Sequence, residues 1–368
     1  MPSARYEGDP MRRYGIAVIP GDGIGKEVMA AGLEVLMELQ RRDGGFELDM
    51  QRFPWGSDYF RQHGQLMPDD GVARLRMFDA ILFGAVGDPL IPDHVTLWGL
   101  RLKISQSLDQ YANVRPIRLL PGIQSPLRNV SAETLDWVIV RENSEGEYSG
   151  SGGRVHGGLP GEVATETAIF TRSGIERVMR FAFGIARQRP RKKITVVTKS
   201  NAQRFGLVMW DEIAAEVAKE FPEVAVDKEL VDAMTTRMVL RPQSIDVVVA
   251  TNLHADILSD LAAALAGSLG MGATANLNPE RTFPSMFEPI HGSAFDIAGK
   301  GIANPIATFW TAAMMLEHLG EPNAARRLMR AVERVTADKD NHTPDIGGGA
   351  TTRRVTDAVV ETLRADNL

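Results

Sequence analysis

Two aspartates, four residues apart, stand at the mouth of an apolar helix: Asp256 and Asp260 in "NLHADILSDLAAAL" (252–265). Carboxylates at i and i+4 share a helix face and repel each other. The first is explicable as a first-turn acid favoured by the helix dipole. The second lies a turn deeper, in a segment patterned for burial, so something positive is expected between them. Other ionisable residues sit at the ends of apolar runs. Lys199 follows "KITVVT" and Asp232 follows "VAVDKELV"; Arg141 follows "LDWVIV", with Tyr148 further along "VRENSEGEYSG", and Arg115 closes "DQYANVR" before a proline. Strand ends are where open α/β sheets bind ligands. Taken singly, each such charge is more often a solvated or paired surface group.

Taken together they suit one chemistry. Three carboxylates without cysteine or a histidine pair make a hard oxygen site, fit for Mg²⁺ or Mn²⁺ rather than zinc. Arginines hold a substrate carboxylate by paired hydrogen bonds. A lysine near a divalent cation can act as a base, and a tyrosine as an acid. His254, beside the aspartates, reads as structural rather than as a ligand.

The elements that must position these groups are legible as alternating runs. "YGIAVI" (14–19), "FELDMQRF", "AILFGAVG" (80–87), "WVIVREN" (137–143), "KITVVTKSN" (193–201), "VAVDKELVD" (224–232) and "IDVVVATN" (245–252) read as strands. Amphipathic stretches lie between most of them, such as "SGIERVMRFAFGIARQR" (173–189), with Thr171 or Ser173 as its cap. This alternation predicts an α/β fold with a largely parallel sheet. "ATFWTAAMMLEHLG" (307–320) predicts a further helix that could layer with "LAAALAGSLG" inside the chain or against a second copy. The turn in "VIPGDGIGKEV" (18–28) imitates a dinucleotide fingerprint but fails its spacing, because Lys26 stands where the third glycine belongs. It is not a Walker A loop either, and a tight turn needing glycine dihedrals explains it equally well.

The 368 residues imply two domains or one large α/β unit. A net charge of -6 argues against nucleic acid as a partner, and zero cysteines exclude disulfides and thiolate chemistry. The polar start "MPSARYEGDPMRRY" is no signal peptide, and no apolar run is long enough to span a bilayer, so the cytoplasm is expected and a membrane is not.

From about Tyr14 onward the ordered motifs "GDGIGKEV", "GAVGDP", "ANVRP", "VRENSEGEY", "VTKSN", "VDAM", "NLHADILSDLAAALAGSLGM", "FEPIHGSAFDIAGKGIANP" and "TPDIGGGATT" carry a resemblance. The chain resembles the metal-dependent β-decarboxylating dehydrogenases, which act on 3-isopropylmalate, isocitrate and tartrate or D-malate. The resemblance implies a two-domain α/β, isopropylmalate-dehydrogenase-like fold that is non-Rossmann and has a discontinuous first domain. Residues 1–110 and 267–368 would bind NAD; residues 111–266 would carry the substrate and metal residues and the dimer interface. It implies a homodimer with a shared active site, Lys199 and Asp232 reaching in from the partner. Asp256 and Asp260 would bind Mg²⁺ or Mn²⁺ with Asp232 of the neighbour; a requirement for K⁺ is left open. Lys199 would take the substrate hydroxyl proton and Tyr148 would protonate the enol carbon. Arg115 and Arg141 would grip carboxylates, with Asn201 beside the site. The cofactor loop would be "HGSAFDIAGKGIANP", with His291, Gly292, Ser293, Ala294 and Asn304 lining NAD. Asp296 would face the adenosine ribose and repel a 2′-phosphate.

Within the family, "PDHVTLWGLRL" is similar to the tartrate/D-malate branch. Trp98 occupies the substrate-selecting place and would fill the space an isopropyl branch needs. One position departs from the pattern: Ser105 stands where most members carry an arginine, and Arg101, one helical turn earlier, is the residue expected to replace it. The expected reaction is NAD-linked oxidation and β-decarboxylation of a small 2-hydroxy dicarboxylic acid, tartrate and D-malate foremost. The alternatives are a 3-isopropylmalate dehydrogenase and, more distantly, a non-catalytic regulatory subunit.

Overall fold

The computed structural model describes residues 11–365, so the first ten residues of the polar start read above lie outside it. Two compact units emerge. One takes the chain up to Leu100 and again from Gly292 onward; the other is Arg101–His291.

In the discontinuous unit, strand β1 (Arg12–Gly21) pairs in parallel with β2 (Phe46–Arg52) on one side and β3 (Ala80–Ala85) on the other. Residues Ile16, Ala17, Val18 and Ile19 are all fully buried, as expected of a parallel strand covered on both faces. Helix Gly25–Asp43 follows β1 and stops at Gly44, whose left-handed backbone returns its N–H to the Gln40 carbonyl. It packs with helices Ile306–His318 and Thr352–Arg364. The helix anticipated at 307–320 therefore layers with its own unit's helices, whereas "LAAALAGSLG" belongs to the other unit.

In the central unit the strand order is β12, β11, β4, β5, β10, β8, β9. These are β4 (Ala112–Arg118), β5 (Asp136–Glu142), β8 (Lys193–Thr198), β9 (Ala225–Leu230), β10 (Val247–Ala250), β11 (Ala273–Leu277) and β12 (Ser285–Pro289). A separate hairpin is made by β6 (Gly146–Val155) and β7 (Val163–Ile169). Strands β5, β10, β8 and β9 are parallel, but β4, β11 and β12 run antiparallel. The largely parallel sheet read from the sequence is thus a mixed one. The antiparallel strands escape a search for apolar runs because they bury Asn113, Arg115, Thr274, Asn276 and Glu288. They also shift the boundaries: β11 pairs with β4, so both belong with residues 101–291 rather than falling on opposite sides of a cut at 266.

The core of this unit lies under helices Arg172–Gln188 and Gly206–Ala218, where Val140, Val196, Val247 and Val249 meet Ile175, Phe183 and Trp210. Thr171 is the cap of the first helix, its hydroxyl accepting from Gly174 N at 3.0 Å. No helix among the described residues is long and apolar enough to cross a membrane.

Candidate active site

Four elements of the central unit bring charged groups together. Strand β4 supplies Arg115, β5 supplies Arg141, β6 supplies Tyr148, and helix Asn252–Leu265 supplies Asp256 and Asp260. The helix begins after Thr251 without a side-chain cap of its own. Glu147 of the hairpin does that work instead, accepting from Leu253 N and Thr251 Oγ1, both at 3.2 Å. A carboxylate at the positive end of the helix stabilises it and ties the hairpin root to the turn that presents Asp256.

Arg141 is clamped on two sides. Its Nε and Nη2 donate to Asn252 Oδ1 at 2.9 and 2.6 Å, while Nη1 donates to Asp256 Oδ1. Its guanidinium also lies over the Tyr148 ring, 5.1 Å from the centroid. Tyr148 Oη donates to the other Asp256 oxygen at 3.2 Å. Arg115 uses every nitrogen: Nε to Asn113 Oδ1 at 2.9 Å, Nη1 to Ser259 Oγ at 2.5 Å, Nη2 to Asp256 Oδ1 at 3.3 Å. Its Nη1 is also 3.7 Å from Asp260. Within the chain, then, the positive charge beside both aspartates is Arg115.

Arg101 joins the same group from the helical segment before β4. It ends a π-helical turn, Leu97–Arg101, and its Nε donates to Glu288 Oε1 at 2.7 Å. Ser105 is fully buried, its hydroxyl turned back onto the Leu102 carbonyl. Trp98 lies in the π-helical turn and is partly exposed.

Electrostatics follow from this packing. Burial and the neighbouring Arg141 push Arg115 down to about 10. Burial alone would raise Asp256, but Arg141, Arg115 and Arg101 outweigh it and hold the carboxyl below its ordinary range. Asp260 is raised, by burial first and then by Asp256, against the opposing pull of Arg115. Tyr148 is raised by burial and by Asp256. His254 is buried, and that burial lowers its pKa.

Lys199 and Asp232 are not in this group. They form an ion pair with each other and make none with Asp256 or Asp260. Asn201 is exposed in the turn after β8. No three acidic or histidine side chains among the described residues are arranged to hold a metal ion. Asp256 and Asp260 nevertheless suit a hard divalent cation: both offer oxygen, and their side chains remain 34% and 57% exposed, leaving room for oxygens from elsewhere.

In the other unit, the segment from Gly292 to Asn304 rests on the glycine turn. Ile24 N donates to the Ser293 carbonyl at 2.8 Å. Gly23 has φ of 51°, and a Cβ there would lie 1.9 Å from that carbonyl oxygen, so the turn needs glycine both for its dihedral and for the close approach. Ala294 also has a positive φ, 38°. Asp296 is exposed, Asn304 is buried and donates to Asp345 Oδ2 at 3.0 Å, and His291 ends the central unit partly buried.

Over residues 15–359 the chain matches the isocitrate/isopropylmalate dehydrogenase family. The chain belongs to that family. It is 68% identical to a probable tartrate dehydrogenase/decarboxylase of Agrobacterium vitis, over 97% of this chain and 100% of that one. It is 48% identical to D-malate dehydrogenase (decarboxylating) of Escherichia coli K12, over 96% and 99%. The crystal structure of isocitrate dehydrogenase from Methylococcus capsulatus superposes with a TM-score of 0.85 at 38% identity, covering 95% of this chain and 99% of that one. Like these relatives, this isocitrate/isopropylmalate dehydrogenase family member is an enzyme of the decarboxylating dehydrogenase class.

Reading the sequence for this family member missed the polar layer beneath its arginines. Glu288, Asn276, Asn113 and Asn143 are buried and joined by hydrogen bonds. Only one signal pointed there: Glu288 and Asn113 lie inside the motifs "FEPIHGSAF" and "ANVRP".

Proposed function

We propose that this enzyme catalyses the NAD-linked, divalent-cation-dependent oxidation and β-decarboxylation of tartrate and D-malate. The observation that carries this reading is the charge balance of the arginine–carboxylate cluster. Arg101, Arg115 and Arg141 face Asp256, Asp260 and Glu288, so the cluster is close to neutral as it stands. A divalent cation alone, or a dicarboxylate dianion alone, would leave it strongly charged beside the buried guanidiniums of Arg115 and Arg141; the two together restore neutrality. Such a site favours small substrates with two carboxylates, bound with the metal.

As the motif resemblance implies, Asp256 and Asp260 would hold the cation together with the partner subunit's Asp232. When bound, the cation supplies Lewis-acid stabilisation of negative charge developing on the substrate oxygen. NAD, when bound at residues 291–304, supplies the hydride acceptor. The chain's own residues do the rest. Arg115 and Arg141, already fixed by Asn113, Ser259 and Asn252, orient carboxylates without first paying for their own ordering. Arg101 binds with them. The partner subunit's Lys199 takes the hydroxyl proton, and Tyr148 returns a proton to the enol carbon after CO₂ departs, so D-malate leaves as pyruvate. The exposed carboxylate of Asp296 favours NAD over its 2′-phosphorylated form.

The homodimer this requires is supported by surfaces of the central unit. Strand β7 is exposed along its whole length, and a two-stranded hairpin is marginal alone in water. Leu253 and Ile257 are exposed on the helix that carries the aspartates, and Val239 and Leu240 are exposed on helix Val231–Leu240.

The test is NADH formation by the purified protein with Mn²⁺ on D-malate, L-tartrate, meso-tartrate and 3-isopropylmalate, with chelator and NADP⁺ controls. Turnover of D-malate and tartrate, abolished by chelator and weak with NADP⁺, is expected. A preference for 3-isopropylmalate would overturn the part assigned to Trp98. Silence on all four would point to a regulatory subunit.

A further inference from the structure

Among the three arginines of the cluster, Arg101 differs in what its guanidinium has left to give. Arg115 and Arg141 have partners on all three nitrogens. Arg101 donates through Nε alone, to Glu288 Oε1 at 2.7 Å, and its Nη1 and Nη2 have no hydrogen-bond partner among the described residues. A carboxylate is recognised best by two parallel N–H groups of one guanidinium. Arg101 therefore keeps free part of the donor set that bidentate recognition uses.

Its tether is itself fixed. Glu288 is 4% exposed, and the same Oε1 accepts from Asn276 Nδ2 at 2.7 Å. Asn276 Oδ1 in turn accepts from Asn113 at 2.7 Å, and Asn113 Oδ1 accepts from Arg115 Nε at 2.9 Å. One continuous run of buried hydrogen bonds thus links the two arginines and sets them relative to each other. The π-helical turn ending at Arg101 adds to this, because a widened turn changes the direction in which its last side chain leaves the helix. Position 105, one turn later, contributes only a serine hydroxyl bonded to its own helix.

We propose that Glu288 is a positioning residue that pre-aims Arg101 as the open carboxylate receptor of this site, and that this tether sets how tightly the second carboxylate of the substrate is held. The proposal rests on the dicarboxylate reading above and deepens it. An untethered arginine must be ordered each time it binds; a tethered one has lost that freedom already. Ground-state and transition-state binding then weaken together when the tether is cut, so KM rises while kcat changes little.

A double-mutant cycle tests it: wild type, Arg101→Leu, Glu288→Gln and the pair, each with Mn²⁺ and NAD⁺. KM and kcat for D-malate are read beside the D-malate Kd from calorimetry. Arg101→Leu is expected to raise KM and Kd by roughly 10–100-fold, the range for a hydrogen-bonded charge. Glu288→Gln should raise them by about 5–10-fold on the wild-type background and by less than about 2-fold on the Arg101→Leu background. An undiminished effect of Glu288→Gln on the Arg101→Leu background would overturn the proposal, as would no effect on the wild-type background. If Glu288→Gln does not fold, Glu288→Asp, which keeps the charge on a shorter stem, is read by the same non-additivity. Should the wild type prefer 3-isopropylmalate, the substrate reading fails but the cycle is run on that acid. Without turnover, the calorimetric Kd reads the same coupling.

Discussion

The sheet of the central unit buries mainly aliphatic side chains on one side and several polar ones among apolar neighbours on the other, Arg141 at the end of β5 joining the polar set. Across β5, β10 and β8, Val140, Val196, Val247 and Val249 are at most 1% exposed and pack under Ile175, Phe183 and Trp210. Across β4, β11 and β12 the buried side chains include Arg115, Asn113, Asn276 and Glu288. Burying apolar groups stabilises the fold outright; burying ions costs desolvation that pairing only partly offsets. The first half is therefore where stability is generated. The second holds polar groups at fixed positions, and its justification lies in what those groups bind.

Four substitutions probe that division, from the largest effect to the smallest. Asp256→Asn removes the carboxylate shared by Arg115, Arg141 and Tyr148. A loss in kcat/KM on the order of 10⁴-fold, about 5 kcal/mol, is expected in steady-state assays, with a circular dichroism spectrum like that of the wild type. Trp210→Ala should act the other way round. Unfolding in urea should show a loss of roughly 3–5 kcal/mol, with KM for D-malate within about 2-fold of wild type. If Trp210→Ala instead changed KM while leaving stability intact, the division would be wrong.

Asn276→Ala falls between the two. It strands the amide donor of Asn113, leaves that of Asn143 only the Gln110 carbonyl, and frees one side of Glu288. A stability loss of about 1–3 kcal/mol by chemical denaturation is expected, together with a raised KM. A rise in KM without any loss of stability would show that the polar layer is not a structural unit.

The smallest effect concerns pH, at the edge of the apolar half. Burial would raise Asp227, but Lys193 at 3.0 Å and Arg237 at 3.1 Å help to outweigh it and hold its carboxyl below the ordinary range. A carboxyl depressed in the folded state stabilises fully above its unfolded pKa, and the contribution is lost as pH falls through the lower folded pKa. Asp227 is partly exposed, so screening limits the term to about 1 kcal/mol at most. Asp227→Asn should flatten the acid limb of a melting-temperature profile below about pH 4, leaving the neutral region lower by a comparable amount. An unchanged acid limb would count against the ion pairs.

The same contrast explains what the sequence disclosed. The apolar half was legible because "WVIV", "KITVV" and "IDVVVA" announce buried strands by composition alone. So was the pair Asp256 and Asp260, the second of them a charge without a first-turn explanation in an apolar helix. The antiparallel strands were not, because a strand whose inward residues are Asn113, Arg115 and Asn276 carries no apolar periodicity. Glu288 could not be paired with Arg101 from the sequence, since their contact spans 187 positions. The glycine turn resisted for another reason: its requirement comes from a carbonyl at Ser293, far along the chain.

The central claim is that a divalent cation and a dicarboxylate enter a balanced cluster as a pair. Calorimetric titration of Mn²⁺ into the protein, with and without saturating D-malate, tests it most directly. A tightening of Mn²⁺ by at least about 10-fold with D-malate present, absent in Asp256→Asn, is the predicted result. Equal Mn²⁺ affinity with and without D-malate would contradict it.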